Sequence, residues 1–166
     1  MKYKKSRTAC TVQEIQTTIQ SLSHKGRFAS EKTFPHHRGT TVFDHSVHVA
    51  KVSLSIANSL PFSFDIDSLV RGALLHDYFL YRRNESVKTY VTHGYRHPVI
   101  AASNAKADYG INDIEENIIR RHMFPLTPIP PKYKEAWVVC IADKCCATME
   151  FLPTRFTGRY HRQILN

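Results

Sequence analysis

The sequence predicts an all-α fold, a compact bundle of about six to seven helices. Three observations carry that expectation. Apolar residues recur at three- and four-residue spacing through successive segments, as in "VQEIQTTIQSL" (12–22) and "IEENIIRR" (114–121). No segment alternates polar and apolar residues long enough to make a strand with one buried face. The segments are bounded by residues that start and stop helices, such as Gly110, Asn112 and Pro125.

Thr11 and Glu14 have the spacing of a capping box, so the first helix is expected to open there and run to about Ser23. Residues 24–42 show no period and read as a loop. A second helix follows from about Phe43 to Leu60, stopped by Pro61. A third is entered through "DID" (65–67) and carries "SLVRGALLHDYFLY" (68–81). Residues 82–96 read as a polar connection, and Pro98 suits the first turn of a fourth helix that Gly110 ends. Asn112 with Glu115 opens the fifth, which Pro125 closes. The run "PLTPIPP" (125–131) can be neither regular helix nor central strand. A last long helix is expected from about Lys132 to Leu152.

Bulk composition narrows the function classes. With 42% hydrophobic and 22% charged residues, the chain is that of an ordinary globular protein rather than a disordered one. No apolar run approaches the roughly 18–20 residues needed to span a bilayer, and the basic N-terminus lacks the apolar stretch of a secretory signal. Cys10, Cys140, Cys145 and Cys146 make no CxxC pair and no disulfide framework; they read as reduced thiols, and a cytoplasmic location is expected. The net charge of +9 is scattered among "KYKK", "YRR", "RR" and "GRYHR", with no basic stripe. Nucleic acid is therefore not the expected partner; a cleft that attracts phosphate accounts for the surplus more simply.

The histidines carry the chemistry. On a wheel at about 100° per residue, His45 falls with Val49, Val52 and Ile56, while His48 lies toward the wetter edge. His76 shares a face with Leu69, Gly72 and Ala73, and His122 follows Ile114 and Ile118 on theirs. Asp143 lines up with Ala136, Val139, Cys140, Cys146 and Ala147. One inward histidine is commonly a core residue bonded to a carbonyl. Three helices aiming imidazoles inward, and a fourth aiming a carboxylate, make an expensive core unless a shared partner satisfies them. A divalent metal does so, and mixed imidazole and carboxylate donors suit Fe, Mn, Zn, Ni or Co.

Three motifs then carry a family resemblance: "DHSVHVA" (44–50), "LLHDYF" (74–79) and "CIADK" (140–144). Together they resemble the H…HD…D pattern of the HD-domain superfamily, all-helical metal-dependent phosphohydrolases. The resemblance implies His45, His76, Asp77 and Asp143 as metal ligands, within a single domain over 1–166. Its core would span 35–150, with an N-terminal helix and loop before it and a tail over 153–166. "HGYRHPVIAA" (93–102) and "IIRRHM" (118–123) resemble the subgroup with two extra histidines, which implies His97 and His122 as ligands of a second ion. His93 could replace His97 or contact substrate. The likeness is closest to small, stand-alone bacterial HD proteins. It does not extend to the cyclic-di-GMP phosphodiesterase branch, whose lysine after HD and GYP signature are absent here.

What the resemblance implies is two divalent ions roughly 3.5–4 Å apart, bridged by Asp77, activating water to hydrolyse a phosphoester. Fe or Mn leads the expectation; Zn, Ni, Co and Mg stay open. Asp77 and Lys144 are the expected catalytic residues, and His93, Arg96 and Arg38 are candidates for gripping substrate. The loop pair His36–His37 could stand at the mouth of the site or have no role. The expected substrate is a nucleotide or another small phosphorylated molecule, no membrane partner is expected, and homo-oligomerisation is left open. Two other readings use the same residue types: a di-iron oxygenase of HD-like fold, and a non-catalytic module stabilised by metal.

Overall fold

Helix boundaries follow the capping residues, and those residues place the site. The computed structural model describes residues 8–36, 39–81 and 87–151. Within them lie α1 (Thr8–Lys25), α2 (Val42–Ser59), α3 (Ile66–Leu75), α4 (Val87–Tyr109), α5 (Asp113–Arg121) and α6 (Lys134–Phe151), with a 3-10 helix over Phe28–Thr33. No strand occurs among the described residues, so the fold is all-α as the periodicity predicts. Thr41 and Asp44 cap α2 reciprocally, Asp65 accepts from the Ser68 amide at the start of α3, and Asn112 with Glu115 forms the expected box on α5.

α2 packs on α3 and α6, and α5 closes the ring by packing on the same two helices. Leu54, Leu69, Leu74, Ile118, Ile119 and Val139 fill its interior and are buried. Burial of each such aliphatic side chain stabilises the fold by about 1.5–3 kcal/mol. Gly72 sets how closely α3 approaches α5, since a Cβ there would stand 2.5 Å from Ile118 Cδ1. That approach brings His76 and His122, one at the end of each helix, to a ring separation of 4.9 Å.

Four expectations are corrected. α1 begins at Thr8, so Thr11 lies inside the helix rather than capping it; Ala9 and Cys10 suit a helix as well as a loop and gave no boundary. The expected loop over 24–42 contains the 3-10 helix, which buries Phe28 and Glu31. It is tied down by Tyr109, whose hydroxyl accepts from the Phe28 amide at 2.9 Å and donates to the Leu22 carbonyl at 3.0 Å. α3 ends at Leu75, short of the expected run through Tyr81. His76 nevertheless keeps helical angles (φ −61, ψ −32), so its side chain holds the helical phase. Finally, α4 begins at Val87, and Pro98 sits inside it. Proline removes one helical hydrogen bond, that to the carbonyl of Gly94, and the helix runs through. The stretch 87–96, expected as a connection, is therefore helical, and it carries His93.

Candidate metal centre

Three histidines are oriented by one device. His76 Nδ1 donates to the Ala73 carbonyl at 2.7 Å, His97 Nδ1 to the His93 carbonyl at 2.9 Å, and His122 Nδ1 to the Ile119 carbonyl at 2.8 Å. A carbonyl can only accept, so each Nδ1 carries a proton and each Nε2 is left to face the cluster, as a lone-pair donor whenever the ring is neutral. All three Nε2 atoms converge on Asp77, which follows His76 directly. Its Oδ1 lies 3.2 Å from His97 Nε2 and 3.6 Å from His122 Nε2, while its Oδ2 lies 3.8 Å from His76 Nε2. One carboxylate thus faces two groups of donors, one oxygen to each.

On the other side, His45 of α2 is held between two carboxylates of α6. Its Nε2 lies 3.1 Å from Asp143 Oδ1 and its Nδ1 lies 2.9 Å from Glu150 Oε1. Asp143 Oδ1 also faces His76 Nε2 at 3.7 Å. Burial alone would push the His45 pKa down; the two flanking carboxylates outweigh it and raise the pKa to about 10. Burial also opposes ionisation of Asp77, but the facing His76, His97 and His122 hold it well below the usual carboxylate range. His122 behaves oppositely. Burial, with His97 and His76 beside it, depresses its pKa to about 3, so it stays neutral.

Those facts test whether a metal fits. His97 Nε2 and His122 Nε2 stand 2.8 Å apart, while both Nδ1 atoms are already donating to carbonyls. With one lone pair on each, they would repel unless a shared proton or a metal ion lies between or beside them. His76 Nε2 and Asp77 Oδ1 are buried without a hydrogen-bond partner. Ligand atoms about 2.1 Å from one ion stand about 3.0 Å apart when adjacent and about 4.2 Å when opposite. The separations of His45 from Asp143 (3.1 Å), His76 from Asp143 (3.7 Å) and His76 from Asp77 (3.8 Å) fall in that range. These buried histidine and aspartate clusters could hold metal ions.

The structure therefore brings together His45, His76, Asp77, His97, His122 and Asp143, the six residues named as ligands. It places the others differently. The Lys144 ammonium donates to the His122 carbonyl at 2.7 Å, fastening the end of α5 to α6. His93 pairs with the Tyr81 hydroxyl at 2.8 Å and stacks on His97 at 4.6 Å, so it backs a candidate ligand without joining the cluster. His93 and the exposed Arg96 line a cavity of about 180 Å³ with Tyr81, Thr92 and Ile100. Arg38 lies outside the described residues.

Two further residues stand in the cluster: Glu150, to which none of the sequence motifs points, and His36, which the sequence marks only as one of a loop pair. Glu150 follows Asp143 by seven residues, about 20° off its line, so helical phase alone could have found it. His36 sits in an irregular segment with no period to read.

A family model for the HD domain matches residues 42–148. Comparisons with curated proteins and with solved structures return no match. The match spans more than half of the chain and takes in the six clustered residues; His36 and Glu150 fall just outside it. On that match, and with an all-helical bundle gathering H, HD and D at one point, the chain belongs to the HD domain family.

Proposed function

We propose that the protein is a metal-dependent phosphohydrolase that cleaves a phosphoester of a nucleotide or another small phosphorylated molecule. The observation that carries this reading is the meeting of two imidazole nitrogens, His97 Nε2 and His122 Nε2, at 2.8 Å beside an orphaned carboxylate oxygen of Asp77. His45, His76, Asp77 and Asp143 would hold one ion, and Asp77, His97 and His122 a second. Fe or Mn suits this imidazole and carboxylate set. When bound, such ions supply Lewis acidity, which acidifies water and balances charge on phosphoryl oxygens.

The chain's own residues do the rest. The three carbonyl-bonded Nδ1 protons lock tautomer and ring direction, so the donors are preorganised. Asp77 offers one oxygen to each donor group and so keeps both in register. Lys144 positions His122 through its carbonyl rather than reaching the reacting atoms. Arg96 lines a cavity with His93, the ring stacked on His97, and a cation and an imidazole there suit an anionic substrate. Buried Phe79 covers His93 and His97 edge-on and limits water there. Free thiols at Cys140, Cys145 and Cys146 support a reducing, cytoplasmic setting.

Elemental analysis of purified protein with a phosphoester panel, run with and without O₂, tests the reading. Turnover that needs a divalent ion, ignores O₂ and disappears in Asp77→Ala supports it. A strict O₂ requirement would transfer the same residues to an oxygenase. Bound metal with every phosphoester untouched would leave a structural module.

A further inference from the structure

We propose that His36, turned by Glu150, is a further protein ligand of the ion assigned to His45, His76, Asp77 and Asp143. That ion is then gripped by five side chains, while its neighbour keeps most of its positions open. The inference rests on the two-ion reading above and adds two residues outside the HD-domain match.

The loop before α2 is folded back on itself. The His36 amide donates to the Thr40 carbonyl at 2.9 Å, and Pro35 bridges to Thr41. This lays the His36 ring on that of His45, with centroids 4.1 Å apart and planes 19° from parallel. Glu150 fastens both rings with one carboxylate. Its Oε2 lies 3.2 Å from His36 Nδ1 and its Oε1 lies 2.9 Å from His45 Nδ1. Carboxylate-to-imidazole pairing of this kind sets the direction of a metal-binding ring and raises its basicity.

With both Nδ1 atoms tied to one group, the two Nε2 atoms point into the cluster side by side. His45 Nε2 faces Asp143 Oδ1 at 3.1 Å, and His36 Nε2 faces Asp77 Oδ2 at 3.7 Å. The His36 side chain is only 10% exposed, so it belongs to the interior of the site rather than its rim. Donor atoms of His36, His45 and Asp77 lie within 4.8 Å of one another, close to the width of one coordination sphere. A ring that only covered His45 would need neither the Glu150 tether nor an Nε2 directed at Asp77.

The consequence is an asymmetric pair. Five donors, from His36, His45, His76, Asp77 and Asp143, leave a six-coordinate ion about one free position. Three donors, from Asp77, His97 and His122, leave the other about three. Substrate phosphate is then directed to the His97–His122 side, next to the cavity lined by His93 and Arg96.

The test uses the full chain, stripped with chelator and reloaded with Co²⁺, whose visible absorption reports coordination number. Wild type is expected to take up two ions per chain. His36→Gln and His36→Ala should weaken one of them at least about tenfold in chelator competition, leave the other unchanged and alter the cobalt spectrum. Glu150→Gln should weaken the same ion by less. Wild-type affinity at both sites and an unchanged spectrum in both folded His36 variants, checked by circular dichroism, would overturn the inference and leave the two-ion reading standing. A wild-type protein that binds no ion would sink that reading and this inference with it.

Discussion

The two halves of the centre are built on opposite electrostatic plans. In the half made by α2 and α6, His45 lies between Asp143 and Glu150, so a proton on the ring is held by a carboxylate at each nitrogen. In the half made by the middle of α4 and the end of α5, His97 and His122 face one another and share one oxygen of Asp77. The first half pairs opposite charges, and the second sets imidazole against imidazole. A metal ion entering the first half must displace the proton held on His45, whereas His122 is already neutral.

The most drastic way to break the comparison is to remove the group common to both. Asp77→Asn is expected to lower turnover at least about a thousand-fold and to cut metal uptake in both halves, read by elemental analysis beside activity. Next come variants that separate the halves in metal-free protein. Asp143→Ala breaks the buried pair with His45 and should destabilise the fold by roughly 3 kcal/mol. His122→Gln removes a neutral ring that no carboxylate hydrogen-bonds and should change stability by less than about 1 kcal/mol. Urea unfolding in chelator measures both, and equal losses would erase the distinction.

Acid and alkali should also tell the halves apart in metal-free protein. His45, raised to about 10 from an ordinary 6.5, lends stability that is complete below 6.5 and is lost as pH climbs toward 10. His122, depressed to about 3, is held neutral in the fold, so its stability is lost as pH falls from 6.5 toward 3. His45→Gln should flatten the alkaline limb of a stability profile and His122→Gln the acid limb. The smallest effect belongs to Lys144→Met, which unfastens the His122 carbonyl. Affinity for one ion should drop about tenfold while the other is unchanged, as chelator competition would show.

The fold and the centre were not equally legible. The box at Asn112 and Glu115 and the stop at Gly110 could be read because they act within one helical turn. His45, His76, His122 and Asp143 could be read as inward-facing because helical phase extends over a few turns. Thr11 misled because a capping pattern is no guarantee that the chain upstream is unwound. Pro98 misled because a proline suits both the start of a helix and, at the cost of one bond, its middle. Lys144 stands next to Asp143 in sequence, yet its ammonium bonds a carbonyl on another helix, a partner that adjacency along the chain cannot reveal.

Local patterning alone determined that this chain is helical, where most helices begin and end, and which imidazoles and carboxylates turn away from water. Those properties depend on neighbours three or four residues apart. Only the tertiary structure decided that Asp77 divides its two oxygens between two groups of donors, that His97 meets His122, and that Glu150 ties His36 to His45. Such pairings join residues from 20 to more than 100 positions apart. Their distances are set by how closely whole helices pack, as at Gly72, and no stretch of sequence encodes that by itself.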